Sequence, residues 1–384
     1  MQVSKGPKRF PVGLGIALIL MAFVLVALAV IAVSPTTTPS FSKPTTVLSN
    51  ENKEITTLDK AIATQDTSNP QPSKTQPLIQ YALDLINKDR SANGLAVVTQ
   101  GSNTAAQKHA EDMLNNSYFS HWGLDGMKPY MRYTLAGGLN YEAENAFMTA
   151  IRWYGGTDPS YVRDTKVMLD EAEESLMESP GHRVNILNKW HKNVNIGLAY
   201  GKDSLFLVQQ FEGDYLSFSK VPVLKDGVFS VSGQTLGGFT VKQIQLWYDQ
   251  LPHTLTLGQV GATHSYDAGT PAAFIRPPVP AGKYYTEIES LYPWESGVDP
   301  YTVSPDTAPP DMSKTQDAEN PISHQEIVKW VDARQWNVSG SSFSIEANLS
   351  QILSKFGKGV YTVKIWGNSG TENISLSSYS IFHR

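Results

Sequence analysis

Residues 179–200 read SPGHRVNILNKWHKNVNIGLAY, and this stretch decides how the middle of the chain folds. Ser179-Pro180-Gly181 ends a helix arriving from Asp164, because proline brings no N–H and disfavours a helical residue before it. Val194 to Tyr200 then reads as a strand. The turn-forming Gly201-Lys202-Asp203 returns the chain into a second strand, Leu205 to Phe211. A helix running into a hairpin predicts helices packed on a short antiparallel sheet.

Working upstream, Met168, Ala172 and Leu176 form an i, i+4, i+8 line behind the cap Asp164, which predicts a helix to about Glu178. Leu78, Ile79, Ala82, Leu83, Leu85 and Ile86 predict a first amphipathic helix, closed by Asn93-Gly94. A second is expected from about Asn103 to Leu114, where Ala106, Ala110 and Met113 give a narrow stripe that permits close packing.

On these elements the order of short motifs resembles the CAP superfamily, named for cysteine-rich secretory proteins, antigen 5 and pathogenesis-related 1 proteins. Asn87, Arg90, Gly94 and Leu95 are similar to its N-x-x-R-x-x-x-G-L pattern. Phe119-Ser120-His121, Gly137-Gly138, Glu144-Asn145, Ser179-Pro180-Gly181-His182-Arg183, Asn185-Ile186-Leu187 and Val194-Asn195-Ile196-Gly197-Leu198 follow in the family's order. The resemblance covers about Pro77 to Tyr215. It implies an α-β-α sandwich with a cleft that gathers two histidines and two acids. By motif position these are His121, Glu144 and His182; Glu171, Glu174 and Glu178 compete for the fourth place, and Glu174 is carried forward.

Two neutral imidazoles in one cleft suit zinc or another divalent metal, which makes His121 and His182 metal-ligand candidates. The competing reading has both histidines holding loops and Glu144 satisfying backbone donors near a chain reversal. His109 is expected on a helix surface, and His191 is expected to be structural or exposed. A hydrolase needs a nucleophile or an activated water, yet no G-x-S-x-G elbow, H-E-x-x-H pair or cysteine is present. Ser120 and Ser179 lie near the histidines but in turns, where serines are common. Binding of a lipid or envelope polymer leads the readings, ahead of metal-dependent hydrolysis and of a structural or adhesive role.

The chain has 384 residues, 17% charged and 41% hydrophobic, with a formal net charge of −5, the profile of ordinary globular material. Without a basic block, nucleic acid is excluded as an expected partner. With no cysteine, stability rests on packed cores rather than disulfides. Lys5, Lys8 and Arg9 precede an uncharged apolar run from Phe10 to Val33, long enough to cross a bilayer. The positive-inside rule then predicts a cytoplasmic tail over 1–9, a transmembrane signal-anchor over 10–34 and export of the rest. A cleaved signal competes, with the same topology.

Residues 35–76 are rich in Thr, Ser and Pro and read as a flexible stalk, followed by a CAP domain over 77–215. Beyond it, over 216–384, strands are expected at Val228 to Val231, Phe239 to Tyr248, Phe343 to Ala347, Tyr361 to Trp366 and Ile374 to Phe382, with a short helix at Leu349 to Phe356. The fold class is therefore α+β, a CAP sandwich followed by an antiparallel β-sandwich. Between those strands, Tyr284, Tyr285, Tyr292, Trp294 and Tyr301 offer rings that stack on sugars or pack beneath a long loop.

Overall fold

The computed structural model describes residues 75–152, 162–201, 203–263, 265–278 and 329–384. The expected anchor and stalk, the segment from Trp153 to Tyr161 and the aromatics from Tyr284 to Tyr301 lie outside the described residues. Among the described residues no helix is long and apolar enough to cross a membrane. From Pro70 onward the chain forms one compact unit.

The first half contains α1 (Gln76–Ala92), β1 (Thr99–Gln100), α2 (Ala105–Asn116), α3 (Pro129–Leu135), β2 (Glu142–Ala150), α4 (Thr165–Glu178), α5 (Pro180–Ile186), β3 (Asn193–Tyr200) and β4 (Ser204–Glu212). The strands form one sheet in the order β1-β3-β4-β2, with β1 parallel to β3 and the other pairs antiparallel. The helix ends follow their sequence signals. Gly94 takes φ +71° just after the Asn93 cap, and the Asp164 side chain accepts from the N–H groups of Lys166 and Val167.

Period-two alternation divides the sheet between two helical layers. Ile196, Leu198, Leu205 and Leu207 pack with Ala82, Leu83 and Ile86 of α1 and Met168, Leu169 and Ala172 of α4. The opposite face places Ala199, Phe206 and Val208 against Ala106, Ala110 and Met113 of α2. Gly197 lies under α2 so closely that a Cβ there would stand 2.1 Å from the Ala106 carbonyl oxygen, so glycine is the residue that admits the helix.

The second half contains β5 (Leu216–Lys225), β6 (Val228–Thr235), β7 (Thr240–Asp249), α6 (Leu257–Gly261), β8 (Thr270–Arg276), β9 (Lys329–Asp332), β10 (Gln335–Ser339), β11 (Ser342–Asn348), α7 (Ser350–Phe356), β12 (Gly359–Asn368) and β13 (Asn373–His383). A four-stranded sheet, β10-β11-β6-β5, and a five-stranded sheet, β13-β12-β7-β8-β9, share one core in which Phe229, Val231, Phe343 and Ile345 meet Ile244, Tyr361, Val363 and Ile365. The expectation of a purely antiparallel sandwich is corrected at one edge: β8 and β9 run parallel.

The two halves are interlocked. The Tyr141 N–H donates to the Leu376 carbonyl, the Ser377 hydroxyl donates to the Leu139 carbonyl, and Val360 packs with Tyr130 and Met131. The β7–β8 connection also reaches back across the first half. The Leu255 N–H donates to the Leu124 carbonyl, and Val260 of α6 joins the core beneath α2.

Candidate functional site

Glu144 sits within β2, paired with Gln210 of β4, rather than at a chain reversal. His121, in the loop after α2, places Nδ1 3.0 Å from Glu144 Oε1. An ionised carboxylate only accepts, so Nδ1 carries the hydrogen of this contact. Arg132 of α3 donates from one guanidinium nitrogen to both Glu144 oxygens, at 3.2 and 3.0 Å. Its other terminal nitrogen donates to the carbonyls of His121 and Met127, at 2.9 and 2.8 Å. Burial pushes the Glu144 carboxyl up, but the Arg132 guanidinium and the His121 hydrogen bond outweigh it and hold it at about 2. Glu144 is therefore ionised at neutral pH and locked.

The cleft is completed from the second half of the chain. The Tyr266 ring lies 5.1 Å from the His121 ring, and its hydroxyl oxygen accepts the Glu144 N–H at 3.1 Å. Sequence reasoning missed Tyr266, since nothing local marks a residue delivered by a connection more than a hundred positions downstream.

His182 is half-buried at the start of α5, and its protonation is disfavoured first by burial and then by His121. Behind it runs a chain of amides. Asn185 donates to Asn145 at 2.8 Å, Asn145 to the His182 carbonyl at 3.1 Å and to Gln209 at 3.2 Å, and Gln209 to Glu173 at 2.6 Å. Glu173 is the acid that α4 turns toward the sheet. It is buried, and burial raises its pKa to about 7. Glu174 and Glu178 are exposed, and Glu171 is ion-paired with Arg163. Of the expected residues the structure thus unites His121 with Glu144 and sets His182 close by, while Glu174 lies on the outer face of α4. The signal for Glu173 was its helical spacing from Leu169 and Leu176, both buried.

His109 is not on a helix surface. It is 1% exposed, with Nε2 2.8 Å from the Ser120 carbonyl, and burial lowers its pKa to about 4. The stripe of small residues in α2 carries this ring inward. His191 is buried as well. The Ser120 hydroxyl is fully engaged, bonded to Thr263 and accepting the Trp122 N–H, so it is no free nucleophile. Ser179 occupies the N-cap position of α5.

Among the described residues no three or more His, Cys, Asp or Glu side chains are grouped to hold a metal ion. Glu144 is committed to Arg132, and two imidazoles alone do not make the three protein ligands of a catalytic zinc site. The described residues do not fit such a centre.

The strands and helices form an α-β-α sandwich whose long-range contacts bring a His–Glu pair beside a second histidine. Residues 83–211 match the family model described as the cysteine-rich secretory protein family, CAP, and this part of the chain is a CAP domain. No curated protein matches the chain. A solved extracellular protein containing an SCP domain from Bacillus anthracis is 24% identical, with 38% of this chain and 45% of that one covered and a TM-score of 0.29. An outer surface protein of Borrelia burgdorferi is 13% identical over 37% of this chain and 97% of its own, with a TM-score of 0.29. A cysteine-rich secretory protein of Staphylococcus aureus is 14% identical over 39% and 44%, with a TM-score of 0.24.

Proposed function

We propose that the chain is an exported, membrane-anchored binding protein whose CAP domain takes an amphiphilic ligand, a lipid of the cell envelope, at the cleft around His121 and His182. The observation that carries this reading is the exposure of large apolar side chains close in sequence to the two histidines. Phe119 is 42% exposed two residues before His121, and Val184 is 66% exposed two residues after His182. Exposed apolar side chains near hydrogen-bonding imidazoles suit a ligand with a polar head and an apolar tail. Glu144 is neutralised by Arg132 and orients His121, leaving the imidazole Nε2 to hydrogen-bond a head group. With Ser120 engaged, recognition rather than turnover is the chemistry these residues support. Export follows from Lys5, Lys8 and Arg9 before the apolar run Phe10 to Val33.

The test uses residues 70–384, the compact unit, titrated with a fluorescent fatty acid below its micelle concentration. Saturable binding weakened at least tenfold by Phe119→Ser and by Val184→Ser is expected. Absence of saturable binding, or affinities unchanged in both variants, rejects the proposal.

A further inference from the structure

Four asparagines open an N-x-S tripeptide without proline at its centre: Asn115-Asn116-Ser117, Asn337-Val338-Ser339, Asn348-Leu349-Ser350 and Asn373-Ile374-Ser375. So short a pattern recurs by chance, and the sequence alone gives it no weight. The fold separates these asparagines from the rest. Of the fifteen among the described residues six are exposed, and all four that open the tripeptides are among the six.

Hydrogen bonding sharpens the separation. The other two exposed asparagines, Asn93 and Asn116, each donate from Nδ2 back into their own helices, at 2.8 Å to the Asp89 carbonyl and 2.8 Å to the Asp112 carboxylate. The side chains of Asn115 and Asn337 make no hydrogen bond among the described residues. Asn348 uses only its oxygen, which accepts from the Ser350 N–H at 3.0 Å and the Ser350 hydroxyl at 2.8 Å. Asn373 likewise uses only its oxygen, accepting from Asn368 at 2.8 Å. Among the described residues, an exposed asparagine with an unengaged amide nitrogen therefore coincides with the tripeptide at every occurrence.

The hydroxyl partner divides the four. Ser117, Ser339 and Ser350 are exposed, whereas Ser375 is half-buried and its hydroxyl donates to the Ser377 carbonyl at 3.3 Å. The first three asparagines also stand where an enzyme can reach them. Asn115 lies in the last turn of α2, Asn337 on the exposed side of the edge strand β10, and Asn348 at the end of β11.

We propose that Asn115, Asn337 and Asn348 are acceptors of N-linked glycans, attached outside the cytoplasm by a transferase that uses a glycosyl diphosphate donor. In each transfer Nδ2 forms a C–N bond to the anomeric carbon, and the C–O bond to the diphosphate breaks with its electron pair leaving on the diphosphate. One Nδ2 proton passes to a base of the transferase. A glycan is bulky and solvated, so it is accommodated only where the amide already faces water and no native hydrogen bond is lost. The proposal rests on the export in the functional reading above, and is independent of the lipid ligand.

The full chain is recovered from the membranes of the cells that make it, digested, and its peptides weighed and fragmented by mass spectrometry. Peptides holding Asn115, Asn337 and Asn348 are expected to carry whole sugar residues. Ser117→Ala, Ser339→Ala and Ser350→Ala should each remove the sugar from their own site while keeping the asparagine, and Asn116→Gln, which preserves the tripeptide, should leave Asn115 modified. Protease added to intact cells reads export separately. A chain cut by that protease but bare at all three asparagines overturns this proposal alone; a chain that is bare and shielded overturns the export reading and this one with it. Sugar that persists at a site after its serine is replaced also overturns the assignment.

Discussion

Replacing Arg132 with methionine isolates the ion pair on which the CAP cleft is built. Glu144 is 2% exposed, and its carboxyl stands at about 2 against an ordinary value of 4.5. A lowered carboxyl pKa contributes stability that is present above the unfolded value and lost as pH falls through the folded one. At 1.36 kcal/mol per unit this is about 3 kcal/mol at pH 7, absent well below pH 2. Without Arg132 the burial of Glu144 is unopposed by a cation, and the carbonyls of His121 and Met127 lose their donor. Breaking a buried pair in this way costs roughly 3–5 kcal/mol. Urea unfolding of parent and Arg132→Met from pH 7 down to pH 2.5 measures it: the gap should be about 3–5 kcal/mol at pH 7 and narrow on acidification. Adding Glu144→Gln should recover part of the loss, because the uncompensated charge is gone. A loss below about 1 kcal/mol at pH 7, or a gap that stays constant with pH, would refute the reasoning.

Gly197→Ala places a Cβ 2.1 Å from the Ala106 carbonyl oxygen, so α2 must lift from the sheet; a loss of about 1–3 kcal/mol or more is expected in thermal unfolding, and an unchanged melting temperature would deny the close approach. Glu173 has a raised pKa, so its penalty is absent below 4.5, grows as pH rises to about 7 and is constant above it. Glu173→Gln should therefore stabilise the protein at pH 8 relative to pH 5, as measured by denaturant titration at both pH values; equal effects would place the carboxyl in water. Tyr266→Phe leaves the buried Glu144 N–H without an acceptor and should cost about 1–3 kcal/mol, read by chemical denaturation.

Much of the CAP half is written locally. Helix periodicity, the Asp164 cap, the Asn93-Gly94 stop and the hairpin around 201–203 each depend on residues a few positions apart, and the structure shows α1, α4, β3 and β4 at those places. Apolar alternation likewise marks β6, β7, β11, β12 and β13 in the second half. β2 was not legible, since Glu142, Glu144 and Asn145 are polar residues buried in an edge strand, where partners from other strands and helices satisfy them. The parallel pairing of β8 with β9 was hidden for a related reason, because strand direction depends on the path between strands rather than on their composition.

By itself the sequence determined the basic-apolar N-terminal run, the absence of cysteine, the helical stripes and the motif order that places His121, Glu144 and His182. Tertiary structure alone decided that Arg132 clamps Glu144, that α4 turns Glu173 rather than Glu174 inward, that His109 is buried and that Tyr266 crosses from the β domain to cover His121. Periodicity records which face of an element is apolar. It does not record which distant polar group meets a buried charge, and that meeting sets ionisation, orientation and access at the site.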